Sequence, residues 1–351
     1  MDIFAIVFLI LILIGVKPVR NNEDYISRDT TTAIKGIFAI IILFNHSRQY
    51  LPSHITDWGG QSYAILYNSI IDIFGQLMVV MFLVYSGFGI MESFKRKKND
   101  YIKGFVRKRV LKTLIHFDIA VFLFLLVALA FGHEYTSSNY ALSWIGWESI
   151  GNSNWFIFDI IILYLLSYIG LALVVRYNLN ERHFLWIIFG MSSAFLLFMF
   201  KSKPGMVWWY DTIFAFPAGM LWSAYKPQLE QKLRNQKIYI ISILTTTAAM
   251  VTTCYLGRNF MEAFLYICSP IFAIFVILVT MRLRLGNRIL NWLGINAFAI
   301  YILQRIPMII ASEYGLHFNP VLFFAVVMPS TLIIAFLFTT LTTKLDKRLF
   351  A

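Results

Sequence analysis

Charged residues and cysteines are both scarce in this sequence. Only 14% of the 351 residues are charged, and there are two cysteines. A typical soluble domain carries about 25% charged residues, so the deficit excludes an ordinary soluble enzyme, a disordered tail and a coiled coil. Cys254 and Cys268 lie in apolar runs and form neither a disulfide framework nor a Cys-x-x-Cys metal site. We therefore expect two small, buried, unpaired side chains there.

The common motifs of soluble enzymes are missing as well. The sequence contains no Walker loop, no Gly-x-Gly-x-x-Gly after a strand, no His-Glu-x-x-His and no Gly-x-Ser-x-Gly. The net charge of +12 would suggest a nucleic-acid partner in a soluble protein, but no basic and aromatic RNA-binding pattern accompanies it. We predict neither a metal nor a nucleic acid as a partner.

Apolar residues are abundant instead, at 59% of the chain, of which many are aromatic. A membrane-spanning helix needs about 20 mostly apolar residues. The sequence predicts an all-α polytopic membrane protein, with residues 1–20 as an extra N-terminal transmembrane helix and 21–351 as the helix bundle. Eleven spans are predicted, near 3–17, 34–51, 70–91, 110–132, 153–175, 184–200, 206–225, 238–256, 261–281, 289–311 and 320–343.

The first apolar run has the charge order of a retained helix. A signal peptide should have a basic residue before its apolar run and a small-residue cleavage site after it. Here Asp2 precedes the run, and Lys17 and Arg20 follow it. We therefore predict that the N-terminus lies outside the cell and that this segment enters the membrane from there.

The distribution of basic residues supports this orientation. With the N-terminus outside and the C-terminus in the cytosol, 25 of the 30 Lys and Arg residues fall on cytosolic segments. The five that remain are Arg48, Lys201, Lys203, Arg258 and Arg305. Such an excess is the positive-inside pattern of membrane proteins. It accounts for the basic charge, with membrane lipid as the surroundings.

Two ionisable residues share one face of the second predicted span. Lys35 precedes His46 by eleven residues, which is a rotation to within about 20° of the same direction and a rise of about 16 Å. Histidine is the usual general base near neutral pH, so His46 is a candidate catalytic residue. Two alternatives remain open: His46 as a hydrogen-bonding residue between helices or at the headgroup level, and Lys35 as a snorkelling interface lysine.

A basic segment leads into the fourth span. It contains Arg107, Lys108, Arg109 and Lys112, of which Arg109 and Lys112 lie three residues apart on one helix face. Two such cations can clamp phosphate groups; the alternative is simple anchoring at the cytosolic surface.

Ser86 and Gly87 interrupt the third span, where glycine allows another backbone or a ligand to approach closely and Ser86 is a candidate ligand contact. Asn45 and Asp211 are further polar residues in or beside spans, and each is either a helix–helix contact or part of a site.

Five stretches, taken together, resemble the integral-membrane acyltransferase family three. They are IKGIFAIIILFNH, MFLVYSGFGI, FVRKRVLKTL, NWFIFDIIILYLL with Trp155, and WLGINAFAIYILQRIP. They occur in the family's order from Lys35 to Pro307. The chain differs from the family pattern in having Lys35 and Lys112 where arginine is commoner and Gln304 where histidine is frequent. The 3–17 span is additional to the family's usual ten-helix core.

The resemblance implies an enzyme that uses acyl-coenzyme A, with acetyl-CoA as the expected donor. The donor phosphates would meet Arg109, Lys112, Lys35 and nearby cations at the cytosolic side, and the thioester would lie near His46. His46 would then deprotonate a hydroxyl of a surface polysaccharide or lipid-linked saccharide, or carry the acyl group itself.

A transporter or flippase of a lipid-linked saccharide is the alternative function. A glycan polymerase is disfavoured because the predicted outer loops are short and poor in arginine. The oligomeric state stays open.

Overall fold

The structure, a computed structural model, describes residues 1–52 and 64–350. Of the predicted outer loop 51–69, residues 53–63 therefore lie outside the described part. The helices, in chain order, are α1 (Asp2–Ile14), α2 (Arg28–Arg48), α3 (Ile65–Phe74), α4 (Val80–Lys97), α5 (Lys112–Phe131), α6 (Ser137–Leu142), α7 (Trp155–Arg176), α8 (Glu181–Ser202), α9 (Ala215–Leu233), α10 (Gln236–Asn259), α11 (Ala263–Thr280), α12 (Arg288–Ile295), α13 (Ala297–Leu303), α14 (Arg305–Glu313) and α15 (Pro320–Leu349).

Short irregular elements join these helices. The 3₁₀ segments are Gly75–Val79, Lys98–Ile102, Ser143–Ile145, Val207–Trp209 and Leu316–Phe318, and Val106–Leu111 is a π-helical turn before α5. The strands β1 (Val16–Pro18) and β2 (Leu283–Leu285) pair antiparallel, with Lys17 opposite Arg284. This small ribbon ties the segment after α1 to the segment after α11.

The all-α polytopic membrane architecture is confirmed. Within the described residues, eight helical segments are long and apolar enough to cross a membrane, and a ninth is added if the bent pair Arg288–Ile295 and Ala297–Glu313 is one span. Each of the eleven predicted windows overlaps a helix, but α1 has only 13 residues and α9 is not among the eight. The count of eleven and the orientation stay predictions.

Helix α2 is unbroken from Arg28 to Arg48, so Lys35 and His46 do belong to one helix. Its start is fixed by Ser27, whose hydroxyl accepts a hydrogen bond from the Thr30 amide at 3.3 Å. Its N-terminal half is in backbone contact with α12, since a Cβ atom on Gly36 would lie 2.3 Å from the Leu290 carbonyl oxygen. This packing fixes the helix that carries His46.

A second close contact joins α4 to α9. A Cβ atom on Gly87 would lie 2.0 Å from the Phe216 carbonyl oxygen, and one on Gly219 would lie 2.0 Å from the Val84 carbonyl oxygen. Small residues let membrane helices approach until their backbones touch. The expected close approach at Gly87 is therefore confirmed, and the group that approaches is a neighbouring backbone.

Two predicted spans are broken rather than straight. The 3₁₀ segment Gly75–Val79 separates α3 from α4, and Gly75 has a positive φ of 47°. The segment from α12 to α14 bends by 56° after α12, and Gln304 separates α13 from α14. Irregular backbone at membrane depth is tolerated where it is buried in protein or lines a cavity. Both breaks line cavities, as described below.

The expectation of two unpaired cysteines is wrong. Cys254 on α10 and Cys268 on α11 form a disulfide bond. Their 14-residue separation spans the turn between two adjacent antiparallel helices, so two apolar helix faces bring the sulfur atoms together. Disulfides persist in oxidising surroundings, and the predicted orientation puts this turn outside the cell.

Candidate active site

Three cavities in the described structure contain the polar residues of interest. The His46 cavity has a volume of about 350 Å³ and is lined by residues that include Asn45, Gln76, Ser153, Trp155, Tyr301 and Arg305. The Asp211 cavity, of about 480 Å³, is lined by residues that include Asn45, Arg48, Asp72, Thr212, Arg258 and Ser269. The Arg109 cavity, of about 360 Å³, is lined by residues that include Lys108, Lys112, His116, Tyr164, Thr339 and Asp346.

His46 is held by a chain of hydrogen bonds near the end of α2. Its side chain is buried, and its Nδ1 lies 2.8 Å from Gln304 Nε2 and 3.4 Å from Ser153 Oγ. Ser153 Oγ in turn accepts from Arg305 Nε at 3.0 Å. Arg305 also donates to Gln49 Oε1 at 2.5 Å. The imidazole is therefore fixed from two neighbouring segments, the residues before α7 and the turn between α13 and α14.

Gln304 determines which ring nitrogen of His46 carries the proton. Gln304 Nε2 donates to the Tyr301 carbonyl oxygen at 3.2 Å. Since a carbonyl oxygen only accepts, this contact orients the amide with its nitrogen toward both Tyr301 and His46. His46 Nδ1 therefore accepts a hydrogen bond, and the neutral ring carries its proton on Nε2. The Gln304 Oε1 atom is buried with no hydrogen-bond partner in the described structure.

The His46 and Asp211 cavities adjoin each other. Both are lined by Asn45, Gly75 and Gln76. The break between α3 and α4 therefore forms the wall that the two cavities share. Trp155, the first residue of α7, lines the His46 cavity, and Asp211 lies before α9 in the wall of the other.

The Arg109 cavity lies at the predicted cytosolic end. Arg109 belongs to the π-helical turn before α5, and its guanidinium carbon lies 5.9 Å from the ring centre of Tyr164. It forms no ion pair with a carboxylate among the described residues. Arg109 is therefore a cation that is available to an anionic ligand.

Lys112 lines the same cavity but is already paired. Its Nζ lies 2.7 Å from Asp346 Oδ2, and the other oxygen of Asp346 lies 2.9 Å from His116 Nε2. The carboxylate offsets the Lys112 charge and ties α5 to α15. Lys112 can therefore contribute less to the binding of an anion than its position in the sequence suggests.

The other three predicted donor-binding residues lie away from this cavity lining. Arg107 donates to the Leu349 carbonyl oxygen and lies over the Phe350 ring, so it holds the end of α15. Ser86 Oγ accepts from the Tyr164 hydroxyl at 3.2 Å and thus touches a residue of the cavity. Lys35 is half-buried on α2 and lines neither the Arg109 cavity nor the His46 cavity.

Helix α13 joins the two ends of the site. Phe298 and Ala299 line the Arg109 cavity, while Tyr301 lines the His46 cavity. These residues lie within one helical turn of each other, so the cavities approach to within about 5 Å along the axis of α13.

Ser153 has no signal in the sequence, because it is one of many serines. Arg305 and Gln304 are polar residues in a predicted span, and the sequence leaves open whether each is a helix–helix contact or part of a site. Gln304 departs from the family pattern, so no catalytic role is carried over to it, and the structure places it against His46.

Among the described residues, no group of three or more His, Cys, Asp or Glu side chains is placed to hold a metal ion. A family model described as an acyltransferase domain matches residues 31–340 of the chain. This range includes most of α2 and about two thirds of α15, and it leaves out α1. No curated protein and no solved structure matches the chain significantly.

Proposed function

Because this chain belongs to the integral-membrane acyltransferase family three, we propose that it is an O-acetyltransferase of a bacterial cytoplasmic membrane. It transfers an acetyl group from cytosolic acetyl-CoA to a hydroxyl of a surface polysaccharide or lipid-linked saccharide. One observation carries the proposal. The buried His46 lines a polar cavity, and residues within one turn of α13 line both this cavity and the basic Arg109 cavity.

The donor binds from the side of the Arg109 cavity in this proposal. Arg109 supplies a charge that no carboxylate offsets, and Lys108 lines the same opening. Thr339, Thr342 and Thr343 line it as well, and arginine is a common phosphate ligand. Coenzyme A phosphates at this position leave the pantetheine arm to extend past Tyr164 and α13 toward His46.

His46 moves the proton in the transfer step. An acceptor hydroxyl replaces both Gln304 and Ser153 as the donor to Nδ1, because this nitrogen has a single lone pair and the two side chains lie 2.8 and 3.4 Å from it in the free protein. As its proton passes to Nδ1, the acceptor oxygen bonds to the thioester carbonyl carbon. The carbon–sulfur bond then breaks, and the coenzyme A thiolate takes the proton back from His46. The Arg305 guanidinium, which lines the same cavity, stabilises the negative charge on the carbonyl oxygen.

The experiment uses purified full-length protein in lipid nanodiscs with acetyl-CoA labelled in the acetyl group. Labelled ester on an added saccharide, with stoichiometric release of free thiol, is the expected result. Movement of a lipid-linked saccharide across sealed vesicles without ester formation would support the transporter alternative instead. The absence of both ester and thiol with every saccharide supplied would contradict the proposed activity.

A further inference from the structure

The Asp211 cavity is the largest of the three cavities, and the transfer step described above does not use it. Its volume of about 480 Å³ lies within the range of about 300–1,000 Å³ that small-molecule sites occupy. It adjoins the His46 cavity along Asn45 and the Gly75–Gln76 turn. A molecule bound in it would therefore lie next to the reacting groups.

Two side-chain oxygen atoms in its wall lack hydrogen-bond partners in the described structure. Asp211 is 5% exposed and Thr212 is 1% exposed. Asp211 Oδ1 and Thr212 Oγ1 have no partner in the described structure. The backbone there is nevertheless fixed, because Ser269 Oγ donates to the Asp211 carbonyl oxygen at 3.0 Å. Buried polar atoms are normally satisfied, and unsatisfied ones mark a place where a ligand or water binds.

The chemistry of the wall favours a neutral ligand rich in hydroxyls. In either protonation state the Asp211 carboxyl group offers an oxygen that accepts hydrogen bonds, and the Thr212 hydroxyl both donates and accepts. The Arg48 charge is already offset by Asp72, whose Oδ1 lies 2.6 Å from Arg48 Nη1. An anionic ligand would thus find little free positive charge beyond Arg258, which also donates to the Ile73 carbonyl oxygen at 3.2 Å.

Apolar side chains complete the cavity. Phe74, Leu77 and Leu265 line it together with the polar groups. A sugar ring presents hydroxyl groups at its edge and carbon–hydrogen bonds on its faces, and it therefore matches a wall of this mixed kind. Phosphate matches only the polar groups of the wall, and a fatty acyl chain matches only its apolar side chains.

We propose that the Asp211 cavity binds a neutral sugar ring of the acceptor, with hydroxyl groups of that ring hydrogen-bonded to Asp211 Oδ1 and Thr212 Oγ1. The hydroxyl to be acylated extends past Asn45 to His46. This inference rests on the proposed function, and it defines the acceptor as a neutral saccharide rather than an anionic lipid or a protein side chain.

The test compares Asp211→Leu and Thr212→Val with the wild-type protein. Asp118→Leu is the matched control, because Asp118 Oδ1 is also buried without a partner but lies outside the three cavities. The probes are the methyl glycosides of glucose, rhamnose and N-acetylglucosamine, with methyl glucuronide as the anionic counterpart. Binding is measured by saturation-transfer NMR, and transfer is measured with labelled acetyl-CoA.

We expect a neutral glycoside to bind the wild type more tightly than the glucuronide. Asp211→Leu should weaken glycoside binding and raise the acceptor KM by about tenfold or more, because a site built to hydrogen-bond hydroxyls loses its acceptor. Thr212→Val should have a smaller effect in the same direction and carries the test if Asp211→Leu does not fold. The KM for acetyl-CoA should stay within about twofold, as should every value for Asp118→Leu.

Failure of this inference is distinguishable from failure of the proposed function. Unchanged glycoside binding and acceptor KM in both variants would overturn the inference while wild-type transfer to saccharide upheld the function. Acetyl transfer only to a lipid alcohol, or tighter binding of the glucuronide, would overturn it as well. If the wild type transferred no acetyl group but bound a neutral glycoside through Asp211, this result would contradict the proposed function and support the proposed binding site.

Discussion

Buried polar groups have hydrogen-bond partners in the Arg109 cavity, whereas some of those near the His46 and Asp211 cavities lack them in the described structure. In the Arg109 cavity Lys112, Asp346 and His116 satisfy one another. At the other end, Asp211 Oδ1 and Gln304 Oε1 are buried with no partner in the described structure. An unsatisfied buried polar atom costs about 1–3 kcal/mol. The lining of the Arg109 cavity is therefore largely complete by itself, whereas the region of the His46 and Asp211 cavities contains buried polar atoms whose hydrogen bonds a bound molecule can supply.

The backbone differs between the cavities as well. The His46 and Asp211 cavities share the break between α3 and α4, and Gln304 lies at the break between α13 and α14. The Arg109 cavity borders the bend after α12 through Ile295, but most of its lining comes from the continuous helices α5 and α15 and from the π-helical turn. Broken helices place polar backbone and side chains at membrane depth, where only a cavity tolerates them. We take the outer end as the place of chemistry and acceptor binding.

The largest effect is expected at His46. His46→Gln should lower kcat by about 10²- to 10⁴-fold, because the amide cannot accept the proton of the acceptor hydroxyl. The KM for acetyl-CoA should change little, since the Arg109 cavity is intact. Initial rates of labelled ester formation provide the measurement.

His133→Gln is the control for this change, because His133 lies at the same predicted end and pairs with Glu313 at 2.9 Å outside the His46 cavity. Equal activity of His46→Gln and the wild type would remove His46 from the mechanism.

The next effect concerns Arg109, whose charge no carboxylate offsets among the described residues. Arg109→Ala should raise the KM for acetyl-CoA by about tenfold, which is the loss expected for one charge-assisted contact with phosphate. The acceptor KM should hardly change. Steady-state kinetics with each substrate varied in turn separates the two constants.

Arg107→Ala supplies the comparison for Arg109, because Arg107 is two residues away and binds the Leu349 carbonyl oxygen instead. The same rise in KM for both variants would mean that the basic segment acts only through its overall charge.

A smaller effect is expected for the residue that orients His46. Gln304→Leu should lower kcat by roughly tenfold with both KM values nearly unchanged, because the imidazole loses the donor that selects its tautomer. A change in the pH profile of kcat, together with recovery of activity in Gln304→Asn or Gln304→His, would separate this positioning role from a packing defect. A fall in thermal stability that parallels the fall in kcat would argue for packing alone.

The sequence predicts single helices better than the relations between them. Lys35 and His46 lie on one continuous helix as their spacing indicates, because helical geometry is local. Arg107 and Arg109 are equivalent by composition but differ in contacts, because the π-helical turn directs them to different neighbours. The hydrogen bond between His46 and Gln304 joins residues 258 positions apart, and only helix packing brings such residues together.

The smallest effect is expected for removal of the disulfide bond. It tests whether the wall of the Asp211 cavity is structurally independent of the Arg109 cavity. The disulfide between Cys254 and Cys268 closes one side of the Asp211 cavity. In the double variant Cys254→Ser, Cys268→Ser, α10 and α11 are held by packing alone, so the wall moves more and the acceptor KM rises by a few-fold.

The KM for acetyl-CoA should stay constant in this variant, since neither cysteine lines the Arg109 cavity. A membrane-impermeant maleimide applied to intact cells should label the wild type only after reduction, because the cross-link consumes both thiols and the predicted orientation exposes that end to the outside. Labelling without reduction would contradict the disulfide, and labelling only of inverted vesicles would contradict the orientation. An equal rise in both KM values would show that the two ends of the bundle are coupled, because a change confined to the outer wall would then have reached the donor site.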